Sequence, residues 1–195
     1  MNVQNKLKKV ELLELNVGGN RILYWFFSYP GVPITLSELA KEAKVSKQTA
    51  TIVVNSLLRE GFLNKEEIGR SWRLSVNPNH SLNFTKKVAF NLEMIYNSGI
   101  IEAVHKSINQ QVRAVVLFGS YRKGDDTEKS DIDLAVEVIG KNIFDVVNLG
   151  VLPEFGFRKN VSVNLHIFSR DAIDNNLFSN IANGIVLQGY LEVSK

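Results

Sequence analysis

The stretch Leu117-Phe118-Gly119-Ser120-Tyr121-Arg122-Lys123-Gly124-Asp125-Asp126-Thr127-Glu128-Lys129-Ser130-Asp131-Ile132-Asp133-Leu134-Ala135-Val136 decides the fold. An apolar run, Ala114 to Phe118, delivers a Gly-Ser turn; a polar loop follows, and a second apolar run carries Asp131 and Asp133. On a strand, carboxylates two positions apart point to the same face. Such a pair repels itself unless a cation neutralises it, and hard oxygen ligands suit Mg²⁺, with Mn²⁺ the alternative. Taken singly, a Gly-Ser turn and an Asp-x-Asp more commonly describe a loop and a solvated strand end. Their ordered combination points to chemistry.

Outward from that stretch, composition sets mild bounds. The chain has 195 residues, 45% hydrophobic and 22% charged, in the range of an ordinary soluble protein. It has no cysteine, which excludes disulfides, thiolate zinc sites and cysteine nucleophiles. The start, Met1-Asn2-Val3-Gln4-Asn5-Lys6, lacks the apolar core of a signal peptide, and no apolar segment is long enough to span a bilayer. The expected location is the cytoplasm, with no membrane partner. Residues 1–80 carry 11 Lys and Arg against 7 Asp and Glu, a balance of +4, whereas residues 81–195 carry 12 against 13, a balance of −1. A basic front end attached to an acidic site fits contact with nucleic acid.

The front end, residues 1–80, has a legible order. Asn20 to Ser28 is an apolar, aromatic helix that stops before Tyr29-Pro30-Gly31. Thr35-Leu36-Ser37-Glu38 has capping-box spacing and opens a short helix, Ser37 to Ala43. Ser46 caps a longer helix, Lys47 to Glu60, with Ala50, Val53, Val54, Leu57 and Leu58 at helical spacing and Gly61 at its end. Two strands, Phe62 to Ile68 and Ser71 to Val76, flank Gly69-Arg70. Met1 to Val17 reads either as a leading helix or as a short strand pair. The sequence "ITLSELAKEAKVSKQTATIVVNSLLREGFL" resembles the core of prokaryotic winged helix-turn-helix regulators, over roughly residues 18–78. That resemblance implies a double-stranded DNA partner. Lys47, Gln48, Thr49 and Thr51 would then face the major groove, and Arg70 and Arg73 in the wing would touch phosphate or the minor groove. The plainer alternative is a solvated helix and hairpin, or a dimerisation module.

Asn77-Pro78-Asn79-His80 marks the boundary to a helical connector, residues 81–111. There Phe84, Val88, Leu92, Ile95 and Tyr96 mark one face, and Ile100 to Ile108 follows after Ser98-Gly99. These helices join the domains or make a homodimer contact, and His105 reads as a surface residue. Over residues 112–195 strands and helices alternate. Val112 to Phe118, Ile132 to Val138, Val161 to Phe168 and Ile185 to Leu187 read as strands. Ile143 to Leu149 reads as a helix, and Ser169 as the cap of another through Ile173, Leu177, Phe178 and Ile181. The fold class is α+β: a winged helix-turn-helix followed by a second domain that reads as α/β or α+β.

The stretch "LFGSYRKGDDTEKSDIDLAV" resembles the signature of the nucleotidyltransferase superfamily that includes DNA polymerase β, most nearly its minimal nucleotidyltransferases. The tail "IANGIVLQG" is similar to the end of that domain, and the likeness covers about residues 110–190. It implies an α/β domain with a mixed sheet, and transfer of a nucleoside monophosphate from an NTP, ATP foremost, to a hydroxyl acceptor. Gly119 would let the backbone approach a phosphate, and Ser120 would offer it a hydroxyl and an N–H. Asp131 and Asp133 would hold the Mg²⁺ and serve catalysis, and Arg122 and Lys123 would meet the outer phosphates. Arg122 departs from the small residue usual there, and Lys123 stands where Arg is common. Some minimal transferases act on HEPN-family toxins, so a HEPN-type protein is an implied partner.

Active members usually carry a third carboxylate on a later strand. Here that strand, Val161-Ser162-Val163-Asn164-Leu165-His166, has neither Asp nor Glu. Ser162 or Asn164 takes the position, with His166 on the same face as a substitute base or a packing residue. The alternative function is a DNA-binding regulator that senses nucleotide with little or no turnover.

Overall fold

A computed structural model of the chain describes residues 17–69, 71–140 and 142–193. The expectation for Met1 to Val17, apart from Val17 itself, and that for Arg70 lie outside the described residues. Among these, no helix is long and apolar enough to cross a membrane.

The first half is built on α1 (Val17–Ser28), whose Ile22, Leu23, Trp25, Phe26 and Phe27 are all buried. A helix apolar on nearly every side must be wrapped by other elements. It is wrapped by α2 (Leu36–Glu42), α3 (Lys47–Arg59) and an antiparallel sheet of β1 (Ile34–Thr35), β2 (Leu63–Ile68) and β3 (Ser71–Val76), in the order β1-β3-β2. The capping box at α2 is present. The Glu38 N–H donates to Thr35 Oγ1 at 3.3 Å, and the Thr35 N–H donates to Glu38 Oε2 at 3.0 Å. Ser46 Oγ accepts from the Thr49 N–H at 3.0 Å and caps α3. Two-residue β1 was not legible, because its pairing of Ile34 with Leu74 is a tertiary contact without a local pattern.

Two short helices, α4 (Ser81–Phe84) and α5 (Lys86–Asn97), lead to α6 (Ile100–Ser107). Then come β4 (Gln111–Phe118), α7 (Gly119–Lys123), β5 (Ile132–Ile139), β6 (Phe144–Phe155), β7 (Arg158–Phe168), α8 (Asn175–Ala182) and β8 (Ile185–Gly189). The five strands form one sheet, β6-β7-β5-β4-β8, parallel only between β5 and β7. One face, with Leu117, Leu134 and Leu165, packs with Ile95, Ile100 and Val104 of α5 and α6. The other, with Val116, Ala135 and Phe168, packs with Ile181 and Phe178 of α8.

Three expectations are corrected. Ile143 to Leu149 is not a helix: from Phe144 on it is strand β6, which pairs antiparallel with the outer edge of β7. The β-branched pair Val146-Val147 suits a pleated surface, and the unpaired edge of β7 supplies the partner that helical spacing could not reveal. Ser169 does not cap α8. Asp174 does, accepting from Asn176 and Leu177 N–H at 2.9 and 3.0 Å, whereas Ser169 Oγ accepts from Ile143 N–H at 3.1 Å. The buried face of α5 is Lys87, Phe90, Asn91 and Ile95, while Phe84 and Tyr96 are each 52% exposed. Two of its buried residues are polar, so apolar periodicity assigned the wrong phase.

Candidate functional site

The site lies at one end of the five-stranded sheet, where β4 gives way to the Gly-Ser turn. Register places Phe118 opposite Asp133, and Asp133 beside Asn164 on the parallel neighbour. Gly119 follows with φ of +71°, and a Cβ there would sit 2.8 Å from Asp133 Oδ2. A side chain is thus excluded twice, by backbone conformation and by the carboxylate. Asn164 Nδ2 donates to Asp133 Oδ1 at 3.3 Å, so Asn164 faces the carboxylate directly. Asp133 is half-buried, and Asp131, just before β5, is exposed.

The loop that joins the turn to the aspartates is pinned from below. Tyr121, on α7, is 1% exposed; its carbonyl accepts from Asn91 Nδ2 at 3.1 Å. Asn91 also donates to Asp126 Oδ1 at 2.8 Å, and Lys87 Nζ holds Asp126 through both its carboxylate, at 3.2 Å, and its carbonyl. Burial of this pair pulls Lys87 below its ordinary pKa and pushes Asp126 above its own, each opposed by the partner's charge. Gly124, at φ of +80°, abuts α4 so closely that a Cβ would lie 1.8 Å from the Asn83 carbonyl oxygen. Arg158, at the start of β7, donates to the Tyr121 hydroxyl and, at 2.7 Å, to the Ser130 carbonyl. Burial holds the Tyr121 phenol well above its ordinary pKa; Arg158 opposes this, and Asp126, Asp131 and Asp133 add to it. Lys87, Asn91 and Arg158 were missed from sequence because they lie outside the motif, and Asp126 because it stands in the loop between the Gly-Ser turn and the paired aspartates; Lys87 and Asn91 beside Phe90 and Ile95 on one helix face were the available signal.

Arg122 is half-buried and Lys123 exposed, both in the last turn of α7, and neither has an ion-pair partner among the described residues. Ser120 is half-buried in the same short helix. His166 lies on the face of Asp133 and Asn164, its ring edge-on to Phe118 at 5.0 Å. Burial lowers its pKa, Asp133 pulls the other way, and its Nδ1 is buried without a partner among the described residues. A cavity of about 220 Å³, walled by Pro30, Val76, Pro78 and Phe84, lies behind the loop and does not include the paired aspartates.

Residues 100–187 match the family model for Polymerase beta, Nucleotidyltransferase. The matched segment takes in α6, strands β4 to β7 and the start of β8. No curated protein matches the chain. Within the domain no group of three His, Cys, Asp or Glu that could hold a metal occurs among the described residues. The donor set is Asp131 and Asp133, with an amide beside them. That fits Mg²⁺, which commonly takes one or two carboxylates and completes its shell with water and substrate phosphate.

In the N-terminal half, Lys47 and Gln48 are exposed at the start of α3 and Arg73 is exposed on β3. Thr49 and Thr51 are half-buried with committed hydroxyls: Thr49 Oγ1 bonds Ser46 Oγ at 2.9 Å, and Thr51 Oγ1 donates to the Lys47 carbonyl at 2.8 Å. The outward face of α3 instead continues through Ile52, 64% exposed, Asn55 and Arg59. An apolar residue on that face broke the expected pattern and was passed over.

Proposed function

We propose that the nucleotidyltransferase domain moves a nucleoside monophosphate from an NTP, ATP first, to a hydroxyl acceptor in a Mg²⁺-dependent reaction. The row Gly119, Asp133, Asn164 carries this reading: a carboxylate faces a turn from which a side chain is excluded. Asp131 and Asp133 would hold the metal, and Asn164, with its amide turned, could add an oxygen. When bound, Mg²⁺ neutralises charge on the phosphates and on the leaving pyrophosphate. Gly119 leaves backbone room beside the phosphates, Ser120 supplies a hydroxyl, and Arg122 and Lys123 offer cations to the outer phosphates. The acceptor oxygen bonds the α-phosphorus as the bond to pyrophosphate breaks. The acceptor proton passes to a base, and His166, on the same face with its pKa lowered by burial, can accept it. A HEPN-type protein is one such hydroxyl acceptor.

The N-terminal half is proposed to be a winged helix that binds double-stranded DNA through α3, with the β2–β3 hairpin as wing. Its support is the exposed polar start of α3 and the basic excess of residues 1–80. Asn164 favours a second reading of the whole chain, a regulator that binds Mg²⁺ and nucleotide with little turnover, because an amide adds no charge and is a poor base.

Incubation with Mg²⁺ and labelled NTPs, wild type against Asp131→Asn/Asp133→Asn, separates these. Label transfer or pyrophosphate release that vanishes in the variant supports the transferase. Mg²⁺-dependent nucleotide binding without turnover supports the regulator. Absence of Mg²⁺-dependent nucleotide binding sinks both.

A further inference from the structure

The tip of the β6–β7 hairpin, Phe155 to Arg158, touches the two halves of the molecule through consecutive residues. Arg158, 7% exposed, reaches one way: its guanidinium binds the Tyr121 hydroxyl and the Ser130 carbonyl. It thereby spans the loop from a residue next to Ser120 to a residue next to Asp131. Phe157 reaches the other way. Its carbonyl accepts from Tyr29 Oη at 2.7 Å, its N–H donates to Ser28 Oγ at 3.2 Å, and its ring lies 5.7 Å from the Arg21 guanidinium. Gly156, at φ of +61°, closes the tip, and a Cβ there would lie 2.7 Å from the Phe90 ring and 2.9 Å from Ser28 Oγ. The tip is therefore wedged between α1 and α5 with no room for a side chain.

We infer that this tip couples the two halves: Arg158 is a positioning residue that sets the Gly-Ser turn against the paired aspartates, and Phe157 passes any shift of that geometry to α1. The contacts are hydrogen bonds and close packing between rigid elements, which move together or repack rather than deform gradually. α1 is the central helix of the N-terminal core, packed with Val54 and Leu57 of α3. A change at Ser130 thus has a continuous physical route to α3. The coupling itself stands on these contacts; its use by nucleotide rests on the proposed nucleotide site.

Hydrogen exchange on the full chain tests it without any ligand. Arg158→Lys is expected to speed exchange in the loop 119–131 and also at the end of α1, residues 25–29. Tyr29→Phe, which removes a bond only on the α1 side, is expected to speed exchange in the loop. Each remote effect should be roughly five-fold, the lower end of ordinary coupling. Effects confined to the mutated side in both variants would overturn the inference, since a purely local role of Arg158 loosens the loop alone. Should Arg158→Lys fold poorly, Tyr29→Phe decides by itself. In wild type, Mg²⁺-ATP should slow exchange at residues 25–29 as well as in the loop. Protection of the loop alone overturns the coupling, whereas no protection anywhere counts against the nucleotide site and leaves the ligand-free result to decide the coupling.

Discussion

Position 164 sets how much negative charge the site can present, and the residue there is an amide that already bonds Asp133. Asn164→Asp would put a third carboxylate where two now stand. Without metal it should repel Asp133 and lower stability. With metal it should tighten binding roughly ten-fold, about 1.4 kcal/mol, because ligand charge count tunes affinity for hard cations. A titration with Mg²⁺ or Mn²⁺ reads this directly, and an unchanged affinity would show that residue 164 does not face the ion. Gly119 is the complementary case. Gly119→Ala meets both a positive φ and an Asp133 oxygen 2.8 Å away, so it should cost about 1–2 kcal/mol in denaturant unfolding. It should also weaken Mg²⁺ binding by displacing Asp133. The motif told from sequence that a glycine was needed; it gave phosphate approach as the reason. The fold adds one that spacing cannot reveal, since Gly119 and Asp133 meet only when β4 and β5 pair.

Helix α5 shows why parts of the molecule were hidden. Where core contacts are apolar, as in α1, α3 and the sheet interior, hydropathy period reported the elements to within a few residues. In α5 the buried face includes Lys87 and Asn91, which serve the loop through Asp126, and period alone misplaced that face. The Lys87 and Asp126 side chains are 1% and 4% exposed, so removing one leaves the other in the interior without its counter-charge. Lys87→Met should cost about 3–5 kcal/mol, and Lys87→Met/Asp126→Leu should recover much of it. Thermal or urea unfolding of both variants checks the pair, and equal losses would mean the charge itself is not the issue. Helix α2 gives a pH signature. Two bonds from Thr35, side chain and then backbone, hold the Glu38 carboxyl below its ordinary pKa. A carboxylate depressed in the fold favours folding above its unfolded pKa, and that contribution is lost as pH falls through the folded value. Thr35→Ala should raise the Glu38 midpoint toward its ordinary value, as carboxyl NMR titration would show, and should flatten that part of the acid limb.

At the scale of the whole molecule, the motif located the mixed sheet and the sequence order located the N-terminal helices and hairpin. The joint between them was invisible, because Tyr29 and Phe157 are 128 positions apart and carry no shared pattern. That joint makes the two halves one mechanical unit, so the surface of α3 is best probed in the full chain. The outward face offers Lys47, Gln48, Ile52, Asn55 and Arg59, with Arg73 on β3. Three cations on phosphates would release counterions, and log affinity for duplex DNA should fall against log salt with a slope of about −3. Lys47→Ala should weaken all sequences alike and reduce the slope by about one. Gln48→Ala should leave the slope intact and cost about 1–3 kcal/mol of discrimination at a single base pair, as loss of a bidentate base contact would. Ile52 can meet a thymine methyl, so Ile52→Ser should reduce discrimination without changing the salt dependence. Fluorescence anisotropy between low and physiological salt separates these effects. Affinity without a salt slope, or a slope unmoved by both Lys47→Ala and removal of the Arg73 charge, would assign α3 to protein contact instead, because a phosphate-tracking helix cannot bind without displacing ions.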